Sequence, residues 1–307
     1  MVFIKENLHS YLENANGIIS LNLTNKTTRN IADFYKDAPF PNYDGFETKH
    51  DLLRISNDNK FVKDLKKNIG LGKKVIEVGS GTSQLSLALA AGTNNFVVAM
   101  DPTIQSLKLG SDFADKNVIE NVTFLKADIF DDPCEEGFFD CVWCSGVLHH
   151  THDAKKGFKI ITKWVRPDGL IIIGLYNKIG RLRTNFRQLI YFLTGKNNFS
   201  RKLICLLDPY LRKNLSYEKQ RAWFLDQYEH PLESKHTIDE VLSWFDECDV
   251  QFLGSVPGTD LENTSVPIAQ MDGHRGSWIE RIAAQVMMLF SPYGAEGGLF
   301  LMVGKKK

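Results

Sequence analysis

The chain has 307 residues, enough to bury a sizeable core in one large or two small domains. It is 43% hydrophobic and 24% charged, with 37 basic against 37 acidic side chains, so it lacks the general basic excess of a nucleic-acid binder and no nucleic-acid partner is expected. The start has neither a basic n-region nor an apolar h-region, no run is long enough to span a bilayer, and five cysteines argue against a disulfide framework, so a reducing cytoplasm is the expected setting.

Residues 1–69 read as a polar, helical leading segment. Phe34, Tyr35, Phe40, Tyr43 and Phe46 surround two prolines there, an aromatic stretch suited either to packing on the core or to a lid whose ring faces attract a cation. Tyr35 is the substrate-contact candidate in this segment. From residue 70 the rhythm changes. Apolar strands are predicted at 74–79, 96–101, 122–128, 138–144 and 170–176, with helices at 83–91, 103–116 and 153–165 between them. Apolar strands alternating with helices mean a parallel α/β sheet covered on both faces. A helical insertion at about 178–248 follows, then a strand at 250–256, a second insertion at about 257–296 and a closing strand at 298–304. The expected organisation is one core, 70–307, with the leading segment and two insertions.

The first turn of that core is Lys74-Val-Ile-Glu-Val-Gly-Ser-Gly-Thr-Ser-Gln84. A buried strand that bends on glycines into a helix start offers bare backbone to a ligand. Gly79-x-Gly81 lacks the third glycine of the dinucleotide fingerprint, which counts against an NAD-dependent oxidoreductase. Glu77, inside an apolar strand, requires a cationic or donor partner. Asp101 ends the next strand, where a carboxylate can accept from both ribose hydroxyls, and Asp128 ends the third beside Ile129 and Phe130, suited to an adenine ring.

Together these residues resemble the class I S-adenosylmethionine-dependent methyltransferases. Glu77-Val-Gly-Ser-Gly-Thr-Ser83 is similar to their first motif, with Ser83 in place of the last glycine. Phe139-Asp-Cys-Val-Trp-Cys-Ser-Gly-Val-Leu-His-His150 and Val165-Arg-Pro-Asp-Gly-Leu170 are similar to the fourth-strand segment and the turn before strand five in the small-molecule group that includes the ubiquinone and menaquinone methyltransferases. The resemblance covers roughly residues 70–177. It implies a Rossmann-like, doubly wound, seven-stranded sheet in the order 3-2-1-4-5-7-6 with the last strand antiparallel. It also implies S-adenosyl-L-methionine as cofactor, held by Glu77, Gly79, Ser80, Gly81, Asp101, Pro102, Asp128, Ile129, Cys144 and Ser145.

Methyl transfer needs alignment, exclusion of water and, for a protonated acceptor, a base. His149 and His150 follow strand four at the carboxyl edge and are the base candidates, and Tyr176 at the end of strand five is the third catalytic candidate. Asn177, with a turn role as the alternative, and Tyr228, His230, Glu233 and His236 are candidate substrate contacts. Between Lys178 and Leu207 lie seven cations and no acid, beside apolar residues at helical spacing. A basic amphipathic helix over 179–193 is compatible with guiding an anionic acceptor or touching a membrane, but the expectation is a packed helix with a solvated basic face. Cys141 and Cys144 are three apart in a strand, so they face opposite ways and no metal site is expected.

The reading is methyl transfer to a small-molecule acceptor by in-line displacement, with the insertions forming the acceptor pocket. The alternatives are a methyltransferase acting on RNA, protein or a lipid-linked substrate, and a non-catalytic module binding an adenosyl ligand or a partner. Oligomeric state is not readable from the residues.

Overall fold

The computed structural model describes residues 2–15, 17–36, 39–40, 47–213, 216–259, 267–290 and 298–307. Tyr43 and Phe46 of the aromatic stretch lie outside them. The leading segment contributes strands β1 (Glu13–Ala15) and β2 (Ile18–Ser20) and helices α1 (Lys26–Lys36), α2 (Lys49–Asp58) and α3 (Lys60–Ile69). The core follows as β3 (Lys74–Val78), α4 (Gln84–Ala90), β4 (Phe96–Asp101), α5 (Ile104–Lys116), β5 (Val122–Lys126), β6 (Phe139–Ser145), α6 (Ala154–Lys163) and β7 (Val165–Tyr176). The insertion carries α7 (Leu182–Leu193), α8 (Asn198–Leu207), α9 (Tyr217–Phe224), a π-helical turn at Leu225–Glu229 and α10 (Ile238–Glu247). Then come β8 (Val250–Val256), α11 (Trp278–Met287) and β9 (Leu299–Lys306).

Among the described residues nine strands form one sheet in the order β1-β2-β5-β4-β3-β6-β7-β9-β8, not the seven expected, and the full order differs accordingly. The five predicted parallel strands lie side by side as β5-β4-β3-β6-β7, and β9 enters antiparallel between β7 and β8. The addition is the β1–β2 hairpin, whose β2 pairs parallel with β5 and extends that edge. The leading segment is therefore partly sheet rather than wholly helical. Its strands are three residues each, and Glu13-Asn14-Ala15 offers no apolar run to read.

Period-two alternation sorts the buried strands between two layers. Ile76, Val98 and Val142 pack with Phe158 and Phe245 on one face, while Val75, Val97 and Cys141 pack with Leu65, Leu87 and Leu107 on the other. Cys141 and Cys144 fall in opposite layers. Among the described residues no group of three or more His, Cys, Asp or Glu side chains is gathered as a metal site would require.

A third, smaller cluster of Tyr191, Ile204, Trp223, Phe224 and Tyr228 binds α7, α8 and α9 together. The expectation for α7 is corrected here. Its inward stripe is polar (Arg181, Thr184 and the half-buried Gln188, with Tyr191), whereas Leu182, Phe186, Leu189, Phe192 and Leu193 face outward. Among the described residues no helix is long and apolar enough to cross a membrane.

Candidate functional site

A cavity of about 570 Å³ opens at the carboxyl ends of β3, β4 and β6. Its size is within the ordinary range for a small-molecule site. One end is built from the bend after β3. Gly79 takes φ +70°, and a Cβ added there would lie 2.1 Å from Cγ2 of Val147, so only glycine lets the chain pass. Ser83 adopts φ 66°, the left-handed conformation, at the position where the resemblance has glycine.

The amide groups of this bend are already occupied. Gly79 and Ser80 both donate to the Met100 carbonyl at 2.7 and 2.9 Å, and Gly81 donates to Asp101 Oδ2 at 2.8 Å. The expectation of bare backbone donors at Gly79–Gly81 is thus corrected. The bend supplies space, and Gly81 does not line the cavity but holds Asp101 in position.

Asp101 also accepts from the Thr103 amide at 2.8 Å and from the Thr103 side chain. Burial pushes its carboxyl upward from the usual range, against the pull of those backbone donors. Asp128 caps a short 3-10 turn by accepting from the Phe130 amide, and its other oxygen takes the Thr28 hydroxyl of α1 at 2.5 Å. Asp101, Pro102, Asp128 and Ile129 all line the cavity.

Glu77 finds its donor partner within the fold: one oxygen accepts from the amide and the hydroxyl of Ser86, at 2.8 and 2.5 Å, near the start of α4. Burial nevertheless raises its carboxyl to about 7.

The other end is lined by His150, Tyr176, Asp226, Tyr35 and Phe40. His150 Nδ1 donates to the Leu232 carbonyl at 2.8 Å, which fixes the lone pair on Nε2. Burial lowers its pKa from the ordinary histidine value, so the imidazole is neutral at pH 7. Tyr35 donates to Asp226 Oδ1 at 2.5 Å, and Gln227 Nε2 bridges Asp226 Oδ2 and the Tyr176 hydroxyl, each at 2.8 Å. Beneath them Arg181 stacks 3.7 Å from the Tyr176 ring centroid and pairs with Glu233 and Gln227. Ser145, Trp143 and Leu299 complete the wall, under a roof of α1 and α2 that includes Ile31, Leu52 and Ile55.

Several sequence candidates lie elsewhere. His149 is wholly buried, does not line the cavity, and neither ring nitrogen has a hydrogen-bond partner. It stacks on Tyr176 at 3.9 Å, and burial holds its pKa well below the ordinary value. Cys144 points into the opposite core layer from Trp143, as alternation in a strand demands, and its thiol is pushed up by burial.

Asn177 is a turn residue: its side-chain oxygen accepts from the amides of Ile179 and Gly180, and its nitrogen reaches Gln285. Tyr228 donates to Asp208 inside the insertion cluster. His236 bonds to Ser234 and Glu240, outside the cavity lining. His230 is one layer back, stacked on His150 at 3.7 Å and lowered to about 3 by burial and by His150.

Sequence reasoning missed Thr28 and Asp226, with Arg181 and Gln227 behind them, whereas Phe40 belongs to the aromatic stretch already read as lid or core packing. None of the missed residues sits in a local motif. The only signal was the incompatibility of Asp226 and Arg181 with a buried helix unless they pair.

Residues 69–224, about half of the chain, match the family described as methyltransferase domain. An uncharacterized protein of Synechococcus is 24% identical over 201 residues, covering 59% of this chain and 48% of that protein. The ubiquinone/menaquinone biosynthesis C-methyltransferase of Vibrio cholerae is 24% identical over 110 residues, 35% of this chain and 42% of that enzyme. The chain therefore spans about half or less of the length of these curated relatives.

Among solved structures it is similar to PKMT2 of Rickettsia typhi in complex with S-adenosylhomocysteine, at TM-score 0.57 and 16% identity over 81% of this chain and 52% of that one. It is also similar to geranyl diphosphate C-methyltransferase of Streptomyces coelicolor, at TM-score 0.51 and 11% identity over 93% and 100%. Similarity at these identities is a similarity of fold.

Proposed function

The chain belongs to the methyltransferase-domain family, of the class I S-adenosylmethionine-dependent kind, and from that premise we propose that it methylates a small-molecule acceptor by in-line displacement. The observation that carries the proposal is a single cavity with Gly79, Asp101 and Asp128 at one end and a neutral His150 at the other. The residues fit the cofactor: the cradle at Gly79 would be filled by any side chain, and Asp101 and Asp128 are buried carboxylates in the same cavity, acceptors of the kind that ribose and adenine donors require. When bound, S-adenosylmethionine supplies a methyl carbon activated by its sulfonium.

The rest of the work belongs to the chain. Tyr35, Phe40 and Trp143 give the acceptor space flat aromatic walls, which suit a hydroxyaromatic or quinol-like molecule and exclude water. Nε2 of His150 takes the acceptor's proton. The imidazolium so formed is stabilised by the charges of Asp226 and Glu233, which counter the burial that otherwise disfavours it. Tyr176, held by Gln227 and by the guanidinium of Arg181 on its ring, fixes the wall beside His150, the two ring centroids 5.8 Å apart. That one relative is a C-methyltransferase acting in quinone biosynthesis supports this acceptor class.

The test is S-adenosylhomocysteine release from the protein given S-adenosylmethionine and a panel of small phenols and quinols. Turnover is expected, falling by about 10²–10⁴ in His150→Ala while S-adenosylhomocysteine affinity stays unchanged. Tight ligand binding without any product across the panel would instead favour a non-catalytic binding module.

A further inference from the structure

Two helices of the insertions turn a broad apolar face outward. On α7 the polar stripe of Arg181, Thr184 and Gln188 faces the protein, where Arg181 pairs with Glu233 and Gln188 donates to the Gln227 carbonyl. Its outward face holds Phe186 and Phe192, 63% and 65% exposed, with Leu189 and Leu193. On α11 the inward side mixes polar and apolar residues: Arg281 bonds to Asp239 and Gln285 receives Asn177, beside buried Ala284 and Met288. Its outward face holds Trp278, 64% exposed, with Ile279, Ile282 and Met287. An ordinary surface helix does the reverse.

The two faces meet. The Arg183 guanidinium lies 5.8 Å over the ring of Phe290, just past α11, and Gly180 lies against Met288. Phe199 and Leu206 of α8 add to the exposed apolar surface. An apolar surface of this kind marks an interaction site rather than scattered exposure.

The charge pattern selects the occupant. Between Lys178 and Leu207 the sequence has no acid, and Lys178, Arg183, Lys196 and Lys202 are all exposed. A second copy seated on the same face would bring like cations together, which opposes that pairing. A negatively charged lipid surface matches both halves of the pattern: apolar tips enter the headgroup–acyl boundary while the cations meet the anionic headgroups. We propose that α7, α8 and α11 dock this protein in the plane of an anionic membrane.

The test is co-sedimentation of the whole chain with phosphatidylcholine vesicles and with vesicles containing about 30% phosphatidylglycerol, at low salt and at about 0.5 M salt, where screening is strong. Binding is expected only to the anionic vesicles, weakened by salt. The triple variant Arg183→Gln, Lys196→Gln, Lys202→Gln should bind about a hundredfold more weakly, since each cation near such a surface contributes about fivefold. Phe186→Ser with Phe192→Ser should lose about tenfold or more by withdrawing two buried rings. Unchanged S-adenosylhomocysteine affinity in each variant would show that the fold survives, and the salt titration of the unaltered protein tests the proposal without any variant. No binding to either vesicle, or equal binding to both, would overturn it. So would a dimer in sedimentation equilibrium that Phe186→Ser with Phe192→Ser dissociates.

Discussion

At Gly79 the backbone conformation and the Val147 methyls act together: φ is +70°, and an added Cβ would stand 2.1 Å from Cγ2. Left-handed strain costs about 1–2 kcal/mol and overpacking about 1–3 kcal/mol. Gly79→Ala should therefore lower unfolding free energy by about 2–5 kcal/mol in denaturant titration and abolish S-adenosylhomocysteine binding, because Val147 can yield only into the cavity. A variant with unaltered ligand affinity would mean that the bend is not the ligand's cradle. Glu77 makes a different kind of claim. Its carboxyl stands at about 7 in the fold against 4.5 as the ordinary value, so its charge opposes folding as pH rises through that window. Its contribution is complete below the lower value and lost above about 7, a change on the order of 3 kcal/mol. Glu77→Gln keeps an acceptor for Ser86 and removes the charge, so the gain in thermal stability of the variant over the original should grow from pH 5 to pH 8. A difference flat across that range would mean that Glu77 is ionised and compensated throughout.

Between secondary-structure elements, Arg181–Glu233 is a buried electrostatic tie, joining the start of α7 to the segment before α10 at 2.5 Å with Arg181 wholly buried. Removing one partner leaves a buried charge uncompensated, at a cost of about 3–5 kcal/mol. Glu233→Ala should thus destabilise by that amount in denaturant titration, and Arg181→Met added to it should recover most of the loss. Equal destabilisation in the single and double variants would mean that packing, not charge, holds the joint. This pair also shows where the sequence was legible. Strands β3, β4, β6 and β7 announce themselves because each carries a run of apolar residues buried on both faces, whereas β1 and β2, at three residues each, are too short to carry a period. Helix α7 was recognisable as amphipathic, but periodicity carries no sign. Which face turns inward is decided by partners such as Glu233 and Gln227, which lie 40 or more positions along the chain.

Over the whole molecule, the cavity joins two kinds of information. Its Gly79 end was legible as one edge because Glu77, Gly79, Asp101 and Asp128 sit at successive strand ends, where a parallel sheet places them together. The opposite end was legible only in part: Tyr35, His150 and Tyr176 stood out as candidates, but their partners did not, because Tyr35 reaches Asp226 191 positions away, as Thr28 reaches Asp128 across 100 positions at the first end. Those two hydrogen bonds fasten α1 across both ends of the cavity, and Leu52, Ile55 and Ser56 of α2 close the top. A ligand on Asp101 and Asp128 must therefore be covered by helices that carry few buried apolar residues of their own, Leu52 being the one in α1 and α2. Such helices open at low free-energy cost when the cavity is unliganded. Ligand binding should lower their opening rather than that of β3–β7. At about 100 times its dissociation constant, S-adenosylhomocysteine stabilises the folded state by about 2.7 kcal/mol. Amide exchange over residues 26–36 and 49–58 should slow on adding it, and Thr28→Val should reduce that protection by removing the donor to Asp128. Protection confined to the bend after β3, with α1 and α2 exchanging as before, would show that the leading segment packs on the core without covering the ligand.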